Sequence, residues 1–260
     1  MHPIILKIID NKIKQLERAA VITPLAALRE AAAKRPRAPG FTAAAVRAGE
    51  LSFVKEIKRA SVIRGVLLND YNPVKIVKRF YSEGAHAVSV AAECSYHMGS
   101  AQDVTLIRDN LFIPILYKDY ILDKYQIYLA ASLGASAVML NPTFLADRPY
   151  REIFELCREL NMLPVPDCRS EDDIIRSLRL RAQFLNINGR SINSLAIDAV
   201  YARRLISQAS QKTAVMAENC FSTPKDALEL KALGVSTLLI GEEITQADFI
   251  AKTRKLEAKL

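Results

Sequence analysis

The sequence has few of the residues that build metal centres and disulfide frameworks. Among its 260 residues there are three histidines and four cysteines, which are Cys94, Cys157, Cys168 and Cys220. The cysteines lie far apart and form no Cys-x-x-Cys pair, which argues against a zinc ribbon or a disulfide scaffold and favours a reducing compartment. Three histidines are too few for a centre with several histidine ligands. We therefore expect no metal and no cofactor.

Long apolar runs are also absent. No run approaches the roughly 18–20 residues that a helix needs to cross a bilayer. The first twenty residues carry charges every few positions and lack a cleavage site of small residues, so they do not read as a secretory signal. A composition of 50% hydrophobic and 25% charged residues is typical of a globular protein. We expect a cytoplasmic protein that folds as a single domain over residues 1–260.

The charge balance is basic, with 36 Lys and Arg against 28 Asp and Glu and a formal net charge of +8. Such a balance suits nucleic acid, an anionic membrane surface or an anionic small molecule. The basic residues are scattered, and the densest cluster, at 34–37, is short and has no aromatic stripe beside it. This distribution favours an anionic small-molecule substrate over nucleic acid or membrane. For the assembly we expect a monomer or a homodimer.

The pattern along the chain changes after about residue 50. An apolar stripe over 4–16 and a second pattern over 25–33 predict two helices. The stretch 35–40, with two prolines and a glycine, ends the second. Short, β-branched-rich apolar runs then begin near Phe53, His86, Phe112, Ala135, Met162, Gln183, Thr213 and Ser236. Helical patterns between them cover 73–84, 124–133, 150–161, 171–180, 196–209, 224–233 and 246–259.

Eight strands alternating with helices predict a (β/α)8 TIM barrel, with residues 1–50 as an extra amino-terminal helical segment. The runs are nearly continuous in apolar residues, as in AVSVAA and FIPILY, which is typical of strands with both faces buried. A doubly wound sheet is the alternative, but it usually places a glycine-rich turn after its first strand, and none follows 53–58. The α/β barrel is the better interpretation.

In a barrel the chemistry lies at the carboxyl ends of the strands. At the end of the first predicted strand, a spacing of two residues puts Glu56 and Lys58 on one face, where they suit acid–base work. Lys118 ends the third strand. Because burying a lysine without a partner is unfavourable, we expect it either to face a cleft or to pair with a residue such as Asp119.

The later strand ends are polar as well. Asp167 ends the fifth strand, and the sixth ends with Asn188 and Arg190 on one face, where they suit an anion or hydroxyl groups. The seventh ends at 218–220 and the eighth at 240–243, and barrels commonly bind phosphate between these two ends. Gly241 fits that role.

These strand ends, in this order, resemble the indole-3-glycerol phosphate synthase family. The matching stretches are FVKEIKRAS at 53–61, YNPV at 71–74, LYKDYILDKYQIY at 116–128, INGR at 187–190, Ala-Glu at 217–218 ahead of Thr-Pro at 223–224, and LIGE at 239–242. The spacing agrees from the first helix to the carboxyl end, so the similarity covers essentially the whole chain.

The resemblance implies a function. The family converts 1-(2-carboxyphenylamino)-1-deoxyribulose 5-phosphate to indole-3-glycerol phosphate with loss of CO2 and water, without metal or organic cofactor. By the same match, Lys118 resembles the general acid that protonates the ribulose carbonyl, and Glu56 with Lys58 resembles the pair that assists ring closure and dehydration. Asn188 and Arg190 resemble the pair that orients the substrate. The residues placed at the phosphate end are Ser61, Asn219, Cys220, Gly241 and Glu242.

Several positions depart from the family pattern. Asp167 replaces a catalytic glutamate, and we expect the shorter carboxylate to leave a gap to the substrate. In the phosphate turns, Ser61-Val62-Ile63 replaces Ser-Pro-Ser, and Asn219-Cys220 replaces Ser-Gly. The glycine of that pair allows a positive φ, which a cysteine disfavours.

Three further departures concern the substrate site, and the first two of them concern the ring pocket. His97, beside Tyr96, replaces an aromatic residue, Asn141 replaces an apolar one, and Lys55 stands where a small or apolar residue is usual. These changes predict a retuned pocket that accepts a more polar ring. Two alternatives stay open: a paralogous barrel enzyme acting on a related phosphosugar adduct, and a non-catalytic anion-binding protein.

Overall fold

The structure is a computed structural model that describes residues 1–35, 38–241 and 248–258. Eight parallel strands, neighbouring one another in chain order, close into a barrel. They are β1 (Ser52–Ile57), β2 (Ala87–Ala91), β3 (Ile115–Lys118), β4 (Ala137–Leu140), β5 (Leu163–Cys168), β6 (Phe184–Asn188), β7 (Ala214–Glu218) and β8 (Thr237–Ile240). The predicted (β/α)8 barrel is confirmed, and each predicted strand begins within three residues of the observed one.

A helix follows every strand, and three helices precede the first. The leading helices are α1 (Pro3–Ile22), α2 (Leu25–Lys34) and α3 (Phe41–Ala45). Those around the barrel are α4 (Pro73–Ser82), α5 (Gln102–Asn110), α6 (Lys124–Leu133), α7 (Asp147–Glu159), α8 (Glu171–Arg179), α9 (Ala199–Ala209), α10 (Pro224–Ala232) and α11 (Phe249–Glu257). In the described part of the chain, no helix is long and apolar enough to span a membrane.

Local sequence signals fix the helix bounds. Asp123 and Gln126 form a reciprocal capping box at the start of α6, and Gly134 ends that helix with a φ of 93° that suits glycine. Thr223 and Asp226 form the same box on α10. These devices satisfy backbone N–H groups that have no partner within the helix, so α6 spans its predicted residues and α10 ends within one residue of its prediction.

The core has two layers, separated by the strands. Alternate side chains point into the barrel, as Val54 and Leu116 do, whereas their neighbours Phe53 and Tyr117 pack outward against the helices. This alternation decides which strand-end side chains reach the barrel mouth. It also explains the nearly continuous apolar runs, because both faces of each strand are covered.

Two of the amino-terminal helices, α1 and α3, lie at opposite ends of the barrel, whereas α2 packs against α6. Phe41 and Ala45 of α3 join the inner layer, and Phe41 meets Phe184 edge-on with ring centroids 6.2 Å apart. The Ala45 carbonyl accepts from the hydroxyl of Thr237, the first residue of β8, so α3 closes the amino end. At the carboxyl end, α1 is tied down by a buried ion pair between Lys12 and the residue that follows β3.

Candidate active site

A cavity opens at the carboxyl ends of the strands, and all eight strands contribute to its lining. One lining residue at or next to each strand end, taken in chain order, is Glu56, Ala91, Lys118, Met139, Asp167, Asn188, Glu218 and Gly241. Ionised and amide side chains are expensive to bury without partners. Their convergence here marks the mouth, rather than the packed interior, as the place for chemistry.

The ammonium group of Lys118 stands between two carboxylates. Its Nζ lies 2.8 Å from Glu56 Oε1 and 2.6 Å from Glu218 Oε1. Lys58 approaches the other oxygen of Glu56, with Nζ 2.9 Å from Oε2. Charges of alternating sign therefore run Lys58–Glu56–Lys118–Glu218 across the ends of β1, β3 and β7.

This arrangement fixes the ionisation of its members. Burial alone would raise the pKa of Glu56, but the ammonium groups of Lys118 and Lys58 lower it well below its ordinary value. Burial alone would lower the pKa of Lys118, but Glu218 and Glu56 raise it well above its ordinary value. Lys118 is thus protonated at neutral pH and can donate to an oxygen on which negative charge develops.

Asp167 lies beside this cluster, and four side chains donate to its carboxylate. Oδ1 accepts from Asn186 Nδ2 at 2.8 Å and from Asn188 Nδ2 at 3.2 Å. Oδ2 accepts from Arg169 Nη2 at 2.7 Å, Arg169 Nε at 3.1 Å and Asn141 Nδ2 at 3.2 Å. Arg169 and Asn141 therefore occupy Oδ2 of this shorter carboxylate.

Aromatic rings form one wall of the cavity. His97, Tyr120 and Phe144 all line it, and the ring of Tyr120 lies nearly parallel to each of the other two. The centroids are 6.4 Å apart for His97 and Tyr120 and 5.7 Å apart for Tyr120 and Phe144. Glu93 holds the turn that carries His97, because its carboxylate accepts the His97 backbone N–H at 2.9 Å. A planar apolar ring could lie against this wall.

Small polar residues form another part of the rim. Ser61, Asn219 and Gly241 line the cavity together, as expected for the phosphate end. A Cβ added at Gly241 would lie 3.4 Å from Glu56 Oε2, so Gly241 borders the carboxylate of the charged cluster. Glu242 lies outside the described residues.

Most of the predicted site residues come together. Those that line the cavity are Glu56, Lys58, Ser61, His97, Lys118, Asn141, Asp167, Asn188, Arg190, Asn219 and Gly241. Tyr96 is half-buried outside the lining, although its backbone N–H donates to Glu93. Cys220 is 2% exposed and belongs to the outer core, where burial raises its pKa to about 12. The left-handed φ in this turn, 55°, belongs to Asn219, so Cys220 is not strained.

Two expectations are wrong, namely the possible pairing of Lys118 with Asp119 and the place of Lys55 at the substrate site. Asp119 does not pair with Lys118: its Oδ1 lies 2.8 Å from Lys12 Nζ on α1. Asp119 also lines the cavity, but its carboxylate pairs with α1 instead of with Lys118. Adjacent residues on a strand point to opposite faces, so Lys55 lies outside the cavity lining that Glu56 enters, and it pairs with Glu83 of the turn after α4.

Sequence reasoning missed several residues of the cavity and its support. Glu218 stood within a matching stretch but was not assigned a role, although it contacts Lys118 directly. Asn186 lies two residues before Asn188, and that spacing on one strand was the available signal. Arg169, Glu93, Tyr120 and Phe144 were missed as well. Among the residues that the structure describes, no group of three His, Cys, Asp or Glu side chains is placed to hold a metal ion.

Comparison with known folds places the chain among barrel proteins. A structure described as native KDPGal matches 81% of this chain and 98% of its own, with a TM-score of 0.59 and 15% identity. Thiamine phosphate pyrophosphorylase from Pyrococcus furiosus matches 81% and 96%, with a TM-score of 0.55 and 13% identity. At these identities the likeness concerns the fold alone.

Sequence comparisons are more specific. The family model for indole-3-glycerol phosphate synthase matches residues 5–256. The enzyme of that name from Dehalococcoides mccartyi is 30% identical over 254 residues, covering 96% of this chain and 98% of the relative. The one from Lachnoclostridium phytofermentans is 32% identical over 197 residues, covering 76% and 73%. This chain therefore belongs to the indole-3-glycerol phosphate synthase family.

Proposed function

We propose that the protein is a carboxy-lyase that converts 1-(2-carboxyphenylamino)-1-deoxyribulose 5-phosphate to indole-3-glycerol phosphate, CO2 and water. The observation that carries this proposal is the ammonium group of Lys118, held between Glu56 and Glu218 at the mouth of the barrel. Ring closure needs a proton donor at the carbonyl oxygen, and a half-buried, protonated lysine supplies one.

The chemistry divides into three steps. The ring carbon that bears the carboxylate attacks the ribulose carbonyl carbon while Lys118 protonates the carbonyl oxygen, which becomes a hydroxyl group. Loss of CO2 then restores the aromatic ring. In the last step the hydroxyl takes a proton from Lys58 and leaves as water, while the adjacent sugar carbon loses its proton to the carboxylate of Glu56, which forms the indole double bond. Lys58, hydrogen-bonded to Glu56, is the second ammonium group that can assist this departure.

The cavity offers a complementary place for each part of the substrate. Ser61, Asn219 and Gly241 lie at the rim, where we assign the phosphate. The aromatic wall formed by His97, Tyr120 and Phe144 suits the anthranilate ring, and Arg190 adds a positive charge for the ring carboxylate. The basic net charge of +8 favours encounter with such a dianionic molecule.

Incubation of the protein with the carboxyphenylamino ribulose phosphate tests the proposal, with indole fluorescence and CO2 release as readouts. Lys118→Ala should lower kcat by roughly 10²–10⁴, the usual contribution of a positioned acid. Lys55→Ala is the matched control, because Lys55 is also an ion-paired lysine near a strand end but faces outward to Glu83. It should keep kcat close to wild type.

Two outcomes would contradict the proposal. If the wild type binds the substrate without releasing CO2, the protein is an anion-binding protein. If Lys118→Ala keeps most of its kcat, the lysine does not carry the chemistry.

A further inference from the structure

The carboxylate of Asp167 has no vacant position for a substrate proton. Five N–H groups from Asn186, Asn188, Arg169 and Asn141 point at its two oxygens at 2.7–3.2 Å. A carboxylate offers about four lone-pair sites, so these donors saturate it. The side chain is also only 1% exposed. A group in this state orients its neighbours and is poorly placed to accept or deliver a proton.

Arg169 joins this carboxylate to a second element of the site. Its Nε and Nη2 donate to Asp167, while its Nη1 donates to the backbone carbonyl of Arg190, after β6. The backbone N–H of Arg169 donates to Asp173 Oδ2 at 3.0 Å, which fixes the base of the side chain. Its side chain is 21% exposed and lines the cavity. The guanidinium thus bridges the end of β5 and the segment that carries Arg190.

We propose, on the basis of the function proposed above, that Arg169 is a positioning residue. With Asp167 it forms one rigid unit that sets the place of Arg190 in the substrate site, and Asp167 acts by orienting its neighbours instead of transferring a proton. The unit also reaches the Lys118 cluster, because Asn186 Nδ2 donates both to Asp167 Oδ1 and to Glu218 Oε2 at 2.8 Å.

The charged groups around Asp167 and Arg169 determine whether removing the guanidinium raises or lowers the pKa of Asp167. Burial alone would raise the pKa of Asp167, but Arg169 and then Lys118 lower it. The other charged or titratable groups that act on this pair are Glu218, Tyr120 and Cys168. Removing the guanidinium should therefore raise the pKa of Asp167, so that it becomes protonated at a higher pH than in the wild type.

The test combines substitution with the affinity for indole-3-glycerol phosphate, measured by calorimetry. Arg169→Gln should weaken that affinity about tenfold and raise KM by a larger factor than it lowers kcat. Arg169→Lys should not keep the wild-type affinity, because one ammonium group cannot hold both the Asp167 carboxylate and the Arg190 carbonyl as the planar guanidinium does. Arg108→Gln is the matched control: Arg108 also donates Nε and Nη2 to one carboxylate oxygen, of Asp109, and Nη1 to a backbone carbonyl. It should leave the affinity unchanged.

A double-mutant cycle tests whether the two residues act as one. If they do, the double variant Asp167→Asn with Arg169→Gln should bind indole-3-glycerol phosphate no more weakly than the single variant with the lower affinity. If the loss of affinity in the double variant equals the product of the two single losses, the proposal is overturned. So would an Asp167→Asn variant that loses turnover while binding the product as the wild type does, since that pattern indicates a proton-transfer group.

A titration by carboxyl-carbon NMR separates this inference from the proposed function. Asp167, assigned through the Asp167→Asn variant, should titrate at higher pH in Arg169→Gln than in the wild type. An unchanged titration would overturn the inference. A wild type that binds product without turnover would instead refute only the proposed reaction, because the titration and the binding cycle do not depend on turnover.

Discussion

The carboxylate of Glu93 organises the turn after β2 by accepting three successive backbone N–H groups. Those of Ser95, Tyr96 and His97 lie 2.6, 2.8 and 2.9 Å from its oxygens. Burial alone would raise the pKa of Glu93, but the His97 side chain and these N–H groups lower it to about 2. One buried residue therefore fixes the position of the aromatic wall at His97.

This lowered pKa makes stability depend on pH. Because the pKa is lower in the folded chain than the ordinary 4.5, the stabilisation is fully present above about pH 4.5 and is lost as the pH falls towards 2. Glu93→Gln should lower the free energy of unfolding by about 1–3 kcal/mol at pH 7. It should also flatten the loss of stability between pH 5 and pH 2, measured by urea unfolding at several pH values.

The exposed carboxylate of Glu152, which pairs with Lys124 and Arg148, provides the control. Glu152→Gln should change the pH dependence little, because surface pairs contribute little to stability. If Glu93→Gln retained the wild-type pH dependence, the turn would not rest on this carboxylate.

Lys118 and Asp119 show which features of single residues could be predicted from the sequence and which could not. Their positions at a strand end were predictable, because apolar runs stop there. Their partners were not, since Lys118 pairs with Glu218, 100 residues away, and Asp119 pairs with Lys12, 107 residues away. Those contacts depend on barrel closure and on the path of α1, which no local periodicity encodes.

At the scale of elements, α1 is anchored to the barrel by a buried ion pair. Lys12 is 3% exposed, and its Nζ lies 2.8 Å from Asp119 Oδ1. Asp119 also accepts from the side chain of Gln126 and from the backbone N–H of Tyr120. The pair therefore connects α1 to the strand end that carries Lys118.

Removing one partner should be costly. Lys12→Met leaves a buried, unpaired carboxylate and should destabilise the protein by about 3–5 kcal/mol in urea unfolding. Adding Asp119→Asn to that variant should recover part of the loss, because no buried charge then remains. Lys14→Met is the control on the same helix, since Lys14 pairs with Asp10 on an exposed face. A loss no larger than that of the control would show that the pair does not anchor α1.

Helix prediction succeeded or failed for reasons of local chemistry. The bounds of α6 were predicted to the residue, because Asp123, Gln126 and Gly134 supply a capping box and a glycine end. Helix α5 was not predicted: no side chain caps its start, and its buried apolar residues are only Val104 and Ile107. Packing against the barrel stabilises α5, and its own sequence carries little helical signal.

At the scale of the whole molecule, the two ends of the barrel have different tasks. Cavity-lining side chains gather at the carboxyl end, where Ile5 of α1 also lines the cavity. The amino end is closed by Phe41 of α3, which packs against Phe184 in the inner layer. We infer that residues 1–50 belong to the same folded domain as the barrel, because their helices complete both ends.

This division predicts that function and stability can be separated by substitutions at the two ends. Ile5→Ala removes apolar surface from the cavity wall, so it should raise KM and weaken affinity for indole-3-glycerol phosphate, with a stability loss of about 2–4 kcal/mol. Phe41→Ala opens a hole at the opposite end and should cost about 3–5 kcal/mol, yet leave KM and product affinity near wild type. Urea unfolding measures the loss of stability, and steady-state kinetics and calorimetry measure KM and the affinity for indole-3-glycerol phosphate.

The two variants should lose comparable stability. A loss of affinity shared by both would therefore mean that general loosening of the fold, and not the part of the cavity wall contributed by α1, controls binding. A change confined to Ile5→Ala would place the amino-terminal helix within the substrate site, since each variant serves as the stability control for the other.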